Sequence, residues 1–177
     1  MNVPEPRTPG RYRIALICLG NICRSPMADV VLRSQVADQG LADQIHVVSA
    51  GTGDWHVGER MDERAAALLT GEGYDAERHR ARQVDAGWLA EHDLLLAMDA
   101  DNLDTLRALD QTGAAAADGR LRMFRDFDPI RPGSDVPDPY YGGEAGFRDV
   151  LEMVERTGAI LVTAIADVLQ RGDPESA

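Results

Sequence analysis

The amino-acid sequence predicts an α/β fold, a three-layer sandwich in which helices cover both faces of a four-stranded parallel sheet. Apolar segments of strand length alternate with helical patterns along the chain, an order typical of parallel sheets with helical crossovers. The strand-like segments 14–17 and 94–97 are apolar at every position, whereas a strand with one solvated face would alternate apolar and polar residues. The strands are therefore expected to be covered on both faces.

Strands and helices are predicted in alternation. The first pair is a strand over 12–17 and a helix over 26–39, for which Ser25 suits the N-cap and Pro26 the first helical position. Apolar β-type runs and helical periodicity predict the later strands 45–49, 93–98 and 121–124 and the later helices 60–71, 101–110 and 144–170. The alanine run 114–117 is expected to be a surface loop.

Length and composition indicate one domain over residues 11–170. With 177 residues, of which 44% are hydrophobic and 27% charged, the chain can bury one core of ordinary size. Residues 1–10 contain three prolines and residues 171–177 are polar, so both ends are expected to be disordered tails. A monomer is favoured.

Charge and apolar patterning exclude several functional classes. The formal net charge of −12 opposes binding to nucleic acids and to anionic membranes. No apolar run resembles an export signal or reaches the length of a membrane span, so a cytoplasmic protein is expected. No ligand-like spacing relates the histidines, and neither a metal nor another cofactor is expected. The histidines are His46, His56, His79 and His92.

The segment after the first strand has the pattern of a phosphate-binding loop. It reads CLGNICRSP over 18–26, with five residues between Cys18 and Arg24, and it leads directly into a helix. A short loop over a helix N-terminus directs several backbone N–H groups at one point, where the helix dipole adds a positive potential. Gly20 is expected to permit the tight curve. A tetrahedral dianion could be held there without a metal.

Cys18 and Arg24 supply the chemistry that such a loop needs. A guanidinium can bind two phosphate oxygens at once. The same positive potential favours the thiolate form of Cys18, which is then a nucleophile for a bound phosphorus. The alternative, that Cys18 and Cys23 are small core residues, is disfavoured for Cys18 by its position between strand and helix and stays open for Cys23.

Asp138 is the candidate proton donor. Expulsion of an alkoxide or phenolate requires a proton, which neither a thiolate nor an arginine can supply, so a carboxylic acid is needed. Asp138 lies between Pro137 and Pro139, which restrict the backbone around it. The alternative is that Asp138 is simply a turn residue.

The loop and several later motifs resemble those of the low-molecular-weight protein tyrosine phosphatases. The resemblance extends from Tyr12 to about Gln170. After CLGNICRSP it continues in SAGT at 49–52, DWHVG at 54–58, HRARQ at 79–83, AMD at 97–99 and DPYY at 138–141. The loop together with a downstream Asp-Pro-Tyr-Tyr is highly specific, whereas Cys-x5-Arg alone occurs in unrelated phosphatase folds.

This resemblance implies a flavodoxin-like or Rossmann-like sheet of strand order 2-1-3-4 and an enzyme that hydrolyses phosphotyrosine in proteins. It makes Asp138 the general acid and base of a reaction through a phosphocysteine. It also implies that Ser25 stabilises the thiolate and that Asn21, Ser49 and His79 support the loop. A solvated histidine and an ordinary strand-end serine are the alternatives for His79 and Ser49.

The resemblance further assigns the phosphate cradle and the walls of the substrate pocket. The cradle also includes Leu19, Gly20, Ile22 and Cys23. The walls, which could enclose a phenyl ring, are Leu19, Ile22, Trp55, Tyr140 and Tyr141. Cys23 resembles a second loop cysteine that can form a reversible disulfide with the nucleophile.

Two other functions fit parts of the sequence. An arsenate reductase of the same fold also uses a Cys-x5-Arg loop, but it passes electrons through further cysteines, and no cysteine follows Cys23. A non-catalytic module that binds phosphate or phosphotyrosine would keep the cradle and would have no need of a proton donor. The presence of both Cys18 and Asp138 favours the phosphatase.

Overall fold

The computed structural model describes residues 2–172 and confirms the predicted α/β sandwich. The strands are β1 (Tyr12–Cys18), β2 (Ile45–Gly51), β3 (Leu94–Ala97) and β4 (Leu121–Met123). The helices are α1 (Arg24–Asp38), α2 (Glu63–Gly71), α3 (Ala86–Glu91), α4 (Ala100–Leu109), α5 (Ala114–Ala117) and α6 (Glu144–Arg171), and a 3-10 turn spans Phe124–Phe127.

The four strands form a parallel sheet in the order β2-β1-β3-β4, as predicted. In the central strand β1, successive side chains enter two separate cores. Ile14 and Leu16 pack with α1, α2 and α6, whereas Ala15 and Ile17 pack with α3, α4 and α5. This alternation explains why the strand is apolar at every position, since both of its faces are covered by helices.

The register of the sheet brings the ends of β1 and β2 together. Cys18 pairs with Gly51, the last residue of β2. A Cβ atom on Gly51 would lie 2.6 Å from the carbonyl oxygen of Leu19, so only glycine lets the end of β2 approach the loop this closely. The loop after β1 therefore lies at the carboxyl edge of the sheet, where open parallel sheets bind their ligands.

The start of α1 differs from the prediction. The helix begins at Arg24 with Cys23 as its N-cap, and no side chain caps it. Ser25 and Pro26 thus lie inside the first turn, and the prediction that Ser25 is the N-cap was wrong. The physical reason is that the loop itself curls into the helix, so that the hydroxyl of Ser25 is turned towards Cys18.

The short helices α3 and α5 were not predicted. Asp85 caps α3 by accepting a hydrogen bond from Gly87 N at 2.8 Å. The alanine run of α5 was expected to be a loop, but Ala115 is buried in the core beside α4. Four residues are too few for helical periodicity to be visible in a sequence, so packing decides this segment.

The N-terminal segment contacts the domain, in contrast to the predicted disordered tail over residues 1–10. The Asp93 carboxylate accepts hydrogen bonds from the backbone N–H groups of Arg7 and Arg13, both at 2.7 Å. Val3 is buried, and the hydroxyl of Tyr12 donates to Pro4 O at 3.1 Å. Residues 2–10 are thus attached through Val3, Pro4 and Arg7, by contacts that local composition does not encode.

The C-terminal helix α6 continues to Arg171, one residue beyond the predicted end. Most of the predicted tail over 171–177 lies outside the described residues. Among residues 2–172, none of the helices combines the length and the apolar character that crossing a bilayer requires.

Candidate active site

The loop between β1 and α1 holds Cys18 at its centre. The side chain is almost fully buried, and Sγ lies 3.3 Å from the backbone N of Asn21 and 2.9 Å from the hydroxyl oxygen of Ser25. The N–H of Asn21 donates to the sulfur, and the hydroxyl of Ser25 can do the same. Together with the N-terminus of α1, these donors surround Sγ with positive potential.

Arg24 is held in a fixed direction by three groups. Its Nη1 donates to Asp99 Oδ2 at 2.6 Å and to the carbonyl oxygen of Val136 at 3.2 Å, and its Nη2 lies 3.5 Å from Asp138 Oδ2. Burial works against the charge, but the sulfur of Cys18 and the two carboxylates outweigh it and raise the pKa of Arg24. The guanidinium is therefore permanently charged and oriented before any ligand binds.

Asp99 is a supporting residue that the sequence analysis did not assign. It caps α4, since its Oδ1 accepts a hydrogen bond from Asn102 N at 2.8 Å, while its Oδ2 binds Arg24. Asp99 lies shortly after the end of β3. Because the carboxyl ends of parallel strands share one edge of the sheet, this position alone indicates that Asp99 lies near the loop after β1.

Asn21 adopts a left-handed backbone conformation with φ of 55°. Among residues 2–172 it is the one non-glycine residue with positive φ. The expectation that Gly20 makes the tight curve was therefore wrong. Gly20 instead allows a close approach by His56, since a Cβ atom on it would lie 3.1 Å from His56 Cδ2.

The fully buried side chain of Asn21 connects the loop to its surroundings. Its Nδ2 donates to the hydroxyl oxygens of Ser25 at 2.9 Å and Ser49 at 3.0 Å, and its Oδ1 accepts from the backbone N of Arg82 at 2.9 Å. Ser49 in turn donates to Asp29 Oδ2 at 3.1 Å. Both Arg82 and Asp29 were missed by the sequence analysis.

His79, which lies outside the phosphate loop in sequence, also binds Asn21. Its Nε2 lies 2.7 Å from the carbonyl oxygen of Asn21. Since a carbonyl can only accept, Nε2 carries the hydrogen. Burial lowers the pKa of His79 more than the hydrogen bond to Asn21 and the charge of Asp29 raise it. A neutral imidazole that donates from Nε2 is thus favoured at neutral pH.

Cys23 differs sharply from Cys18 in its environment. Burial, together with the negative charges of Asp62 and Cys18, raises the pKa of Cys23 to about 12. Neither thiol takes part in a disulfide. Cys23 is consequently a protonated thiol at neutral pH and a poor nucleophile.

The predicted catalytic residues and pocket walls line a single cleft of about 310 Å³. Leu19, Ile22 and Trp55 all line it, and 68% of the surface of Trp55 is exposed. Tyr140 and Tyr141 contact each other edge to face, with ring centroids 4.9 Å apart. The cleft thus combines a charged floor with apolar and aromatic walls.

Asp138 and the tyrosines lie on a loop that is attached to α2. The carboxylate of Asp138 accepts a hydrogen bond from Tyr140 N at 3.1 Å. The guanidinium of Arg64 lies 5.5 Å from the ring centre of Tyr140 and 4.7 Å from that of Phe147. Asp62 holds Arg64 through two hydrogen bonds. Arg64 in turn packs on Tyr140 and so helps to position this residue of the cleft wall. Arg64 was not predicted from the sequence.

The arrangement can bind a tetrahedral anion and attack it. The sulfur of Cys18, the permanently charged guanidinium of Arg24 and the partly exposed carboxyl group of Asp138 meet in one cleft. Within residues 2–172, no group of three or more Cys, His, Asp and Glu side chains is placed to hold a metal ion.

The chain is similar to proteins of one family over nearly its whole length. Residues 13–171 match the family model of the low molecular weight phosphotyrosine protein phosphatases. A low molecular weight protein-tyrosine-phosphatase of Streptomyces coelicolor is 45% identical over 161 residues, which cover 90% of this chain and 96% of the relative. Low molecular weight protein-tyrosine phosphatase A of Mycobacterium tuberculosis is 44% identical over 164 residues, covering 91% and 96%.

Solved structures agree with this result. The crystal structure of YfkJ from Bacillus subtilis has a TM-score of 0.82 at 33% identity and covers 92% of this chain and 98% of its own. A protein tyrosine phosphatase from Entamoeba histolytica with Hepes in the active site also has a TM-score of 0.82, at 30% identity, with 88% and 97% covered.

Proposed function

This chain belongs to the family of low molecular weight protein-tyrosine phosphatases, and we propose that it hydrolyses phosphotyrosine in proteins through a phosphocysteine intermediate on Cys18. The observation that carries the proposal is the meeting of Cys18, Arg24 and Asp138 in one aromatic cleft. Each of the three supplies a function that the other two cannot.

In the first step, the thiolate of Cys18 attacks the phosphorus while the bond from phosphorus to the phenolic oxygen breaks. Asp138 donates its proton to the departing oxygen, which leaves as tyrosine. Arg24 and the backbone N–H groups of the loop hold the phosphoryl oxygens and stabilise the charge that develops on them. The 3.5 Å between Arg24 Nη2 and Asp138 Oδ2 supports this assignment, since one phosphoryl group bound by Arg24 would lie within reach of Asp138.

In the second step, a water molecule attacks the phosphorus of the phosphocysteine. Asp138, now ionised, takes a proton from that water as the bond from phosphorus to sulfur breaks. The products are inorganic phosphate and the regenerated thiolate, and the proton that Asp138 gave to tyrosine is replaced by one from the water. The hydroxyl of Ser25, 2.9 Å from Sγ, stabilises the thiolate as leaving group.

The substrate class follows from the walls of the cleft. A phenyl ring bound between Trp55 and the two tyrosines would place its phosphate at the loop, whereas the shorter phosphoserine would lack the aromatic contact. We therefore expect tyrosine-phosphorylated proteins as substrates. The cytoplasm keeps thiols reduced, which favours action of a thiolate enzyme there. We further propose signalling proteins as substrates and a monomeric enzyme.

The arsenate reductase alternative has less support. It requires a cysteine that can resolve a disulfide, and the chain contains only Cys18 and Cys23. Cys23 is a protonated, buried thiol, which makes it a weak attacking group. Full phosphatase activity in Cys23→Ser, without arsenate reduction by the wild type, is the expected result.

The decisive experiment combines hydrolysis and trapping. We expect hydrolysis of p-nitrophenyl phosphate in the presence of EDTA, inhibition by orthovanadate, and complete loss of turnover in Cys18→Ser. Rapid acid quenching during turnover should yield a phosphorylated peptide that contains Cys18. Residual turnover in Cys18→Ser, or an unphosphorylated Cys18 peptide during steady-state hydrolysis, would contradict the mechanism. A comparison of phosphotyrosine and phosphoserine peptides then tests the substrate class.

A further inference from the structure

A second cleft of about 570 Å³ lies beside the phosphate loop, between α1 and the segment 73–82. It shares no lining residue with the catalytic cleft. The mechanism proposed for Cys18 makes no direct use of it.

The charged lining of this cleft is mostly cationic. Four arginines meet two aspartates there; they are Arg33, Arg78, Arg80 and Arg82, with Asp29 and Asp75. The excess of positive charge contrasts with the net charge of −12 for the whole chain. A cationic cleft in an acidic protein is a local feature that attracts anions despite the overall field.

Much of this positive charge is available to a ligand. Arg33 pairs with Asp29, but 58% of the Arg33 side chain is exposed, and the ion pair uses only its Nε. Arg78 is 92% exposed and lies 3.5 Å from Asp75. Arg80 donates from Nη1 to the carbonyl oxygens of Glu77 and His79, and the Arg82 guanidinium lies 5.3 Å from the ring centre of Trp88. Within residues 2–172, however, neither forms an ion pair with a carboxylate, so both charges remain uncompensated. Guanidinium groups of this kind bind phosphoryl oxygens in pairs of hydrogen bonds.

Two of the lining residues are bound to Asn21 of the phosphate loop, and a third, Asp29, is connected to it through Ser49. His79 Nε2 donates to the Asn21 carbonyl, and Arg82 N donates to Asn21 Oδ1. Asp29 accepts from Ser49, which accepts from Asn21 Nδ2. A ligand that moves these groups would therefore act on the residue that shapes the loop around Cys18.

We propose that this cleft binds a small molecule with two or more phosphoryl charges and that its binding lowers turnover at Cys18. The bound anion competes for Arg33, the cation that neutralises buried Asp29. Burial without that cation favours the protonated carboxyl group, which accepts the hydrogen bond from Ser49 less strongly and so weakens the support of Asn21. The effect on turnover rests on the proposed function of Cys18, whereas the binding itself does not. Four guanidinium groups, each able to bind two phosphoryl oxygens, offer more donors than one phosphate group has oxygens, which favours a polyphosphate.

Calorimetric titration with inorganic tripolyphosphate tests the binding, with orthovanadate present to occupy the catalytic cleft. We expect one site whose affinity falls steeply as salt is added. The double variant Arg78→Gln and Arg80→Gln should abolish it. The control variant Arg107→Gln and Arg148→Gln removes the same charge from exposed helix positions outside both clefts and should bind normally. Failure of the wild type to bind, or equal loss in both variants, overturns the proposed site.

Steady-state hydrolysis of p-nitrophenyl phosphate tests the coupling. Saturating tripolyphosphate should lower kcat by about fivefold or more, as expected for a coupling energy of ordinary size, with little change in KM. The Arg78→Gln and Arg80→Gln variant should keep its basal rate and lose the inhibition. A rise in KM alone would show competition at the catalytic cleft and refute the coupling. An enzyme without basal hydrolysis would refute the proposed function, while the calorimetric result would still decide the site.

Discussion

Substitution of Asn21 by alanine tests whether one buried amide holds the phosphate loop in shape. The substitution removes three hydrogen bonds at 2.9–3.0 Å, those with Ser25, Ser49 and the backbone N–H of Arg82. A hydrogen bond of this kind contributes about 1 kcal/mol. The left-handed backbone at φ of 55° adds a cost of about 1–2 kcal/mol for alanine, which asparagine avoids in part. We therefore expect the free energy of unfolding to fall by about 3–5 kcal/mol.

Asn21→Gly is the matched control, because it removes the same hydrogen bonds and accepts positive φ without strain. Its free energy of unfolding should exceed that of Asn21→Ala by about 1 kcal/mol. Urea denaturation of the wild type and both variants measures these differences, provided that the slope m is unchanged.

Catalysis should suffer in both variants, because the hydrogen bond from Asn21 N to Cys18 Sγ depends on the loop conformation. A displacement of the nucleophile by about 1 Å lowers kcat/KM by about 10²-fold. Equal stability of the two variants would refute the argument from backbone strain. A loss below about 1 kcal/mol in Asn21→Ala would refute the structural role of the amide.

Three further predictions concern the charged residues. Arg24→Lys should lower kcat/KM for p-nitrophenyl phosphate by at least about 10²-fold, because an ammonium cannot bind two phosphoryl oxygens in a plane. Asp138→Ala should lower kcat by about 10²–10⁴-fold on alkyl phosphates and far less on p-nitrophenyl phosphate, whose leaving group needs no proton; equal losses would exclude it as the acid. Asp128 is buried between the guanidiniums of Arg156 and Arg125, which hold its pKa well below the usual range, so its contribution to stability is present above about pH 4 and is lost as pH falls. Asp128→Asn should cost about 3–5 kcal/mol at neutral pH and flatten the acid side of the stability profile measured by thermal unfolding.

The sequence by itself determined the architecture and the centre of the candidate site. Short segments that are apolar at every position predict a parallel sheet covered on both faces. The strand order of this sheet is the one that the family resemblance implied. Cys18 and Arg24 lie within one loop, so a local pattern is enough to place them at a helix N-terminus. Asp138 lies far along the chain and was found through the motif around it.

The tertiary structure alone decided which residues support that centre. Asp99 binds Arg24 across 75 positions of sequence, and Arg82 binds Asn21 across 61. Asn21, not Gly20, takes the left-handed conformation, because its side chain finds partners on β2 and on the segment before α3. Local preferences depend on neighbours in the chain, whereas these contacts depend on the register of the sheet and on the packing of helices against it, which no short stretch of sequence specifies.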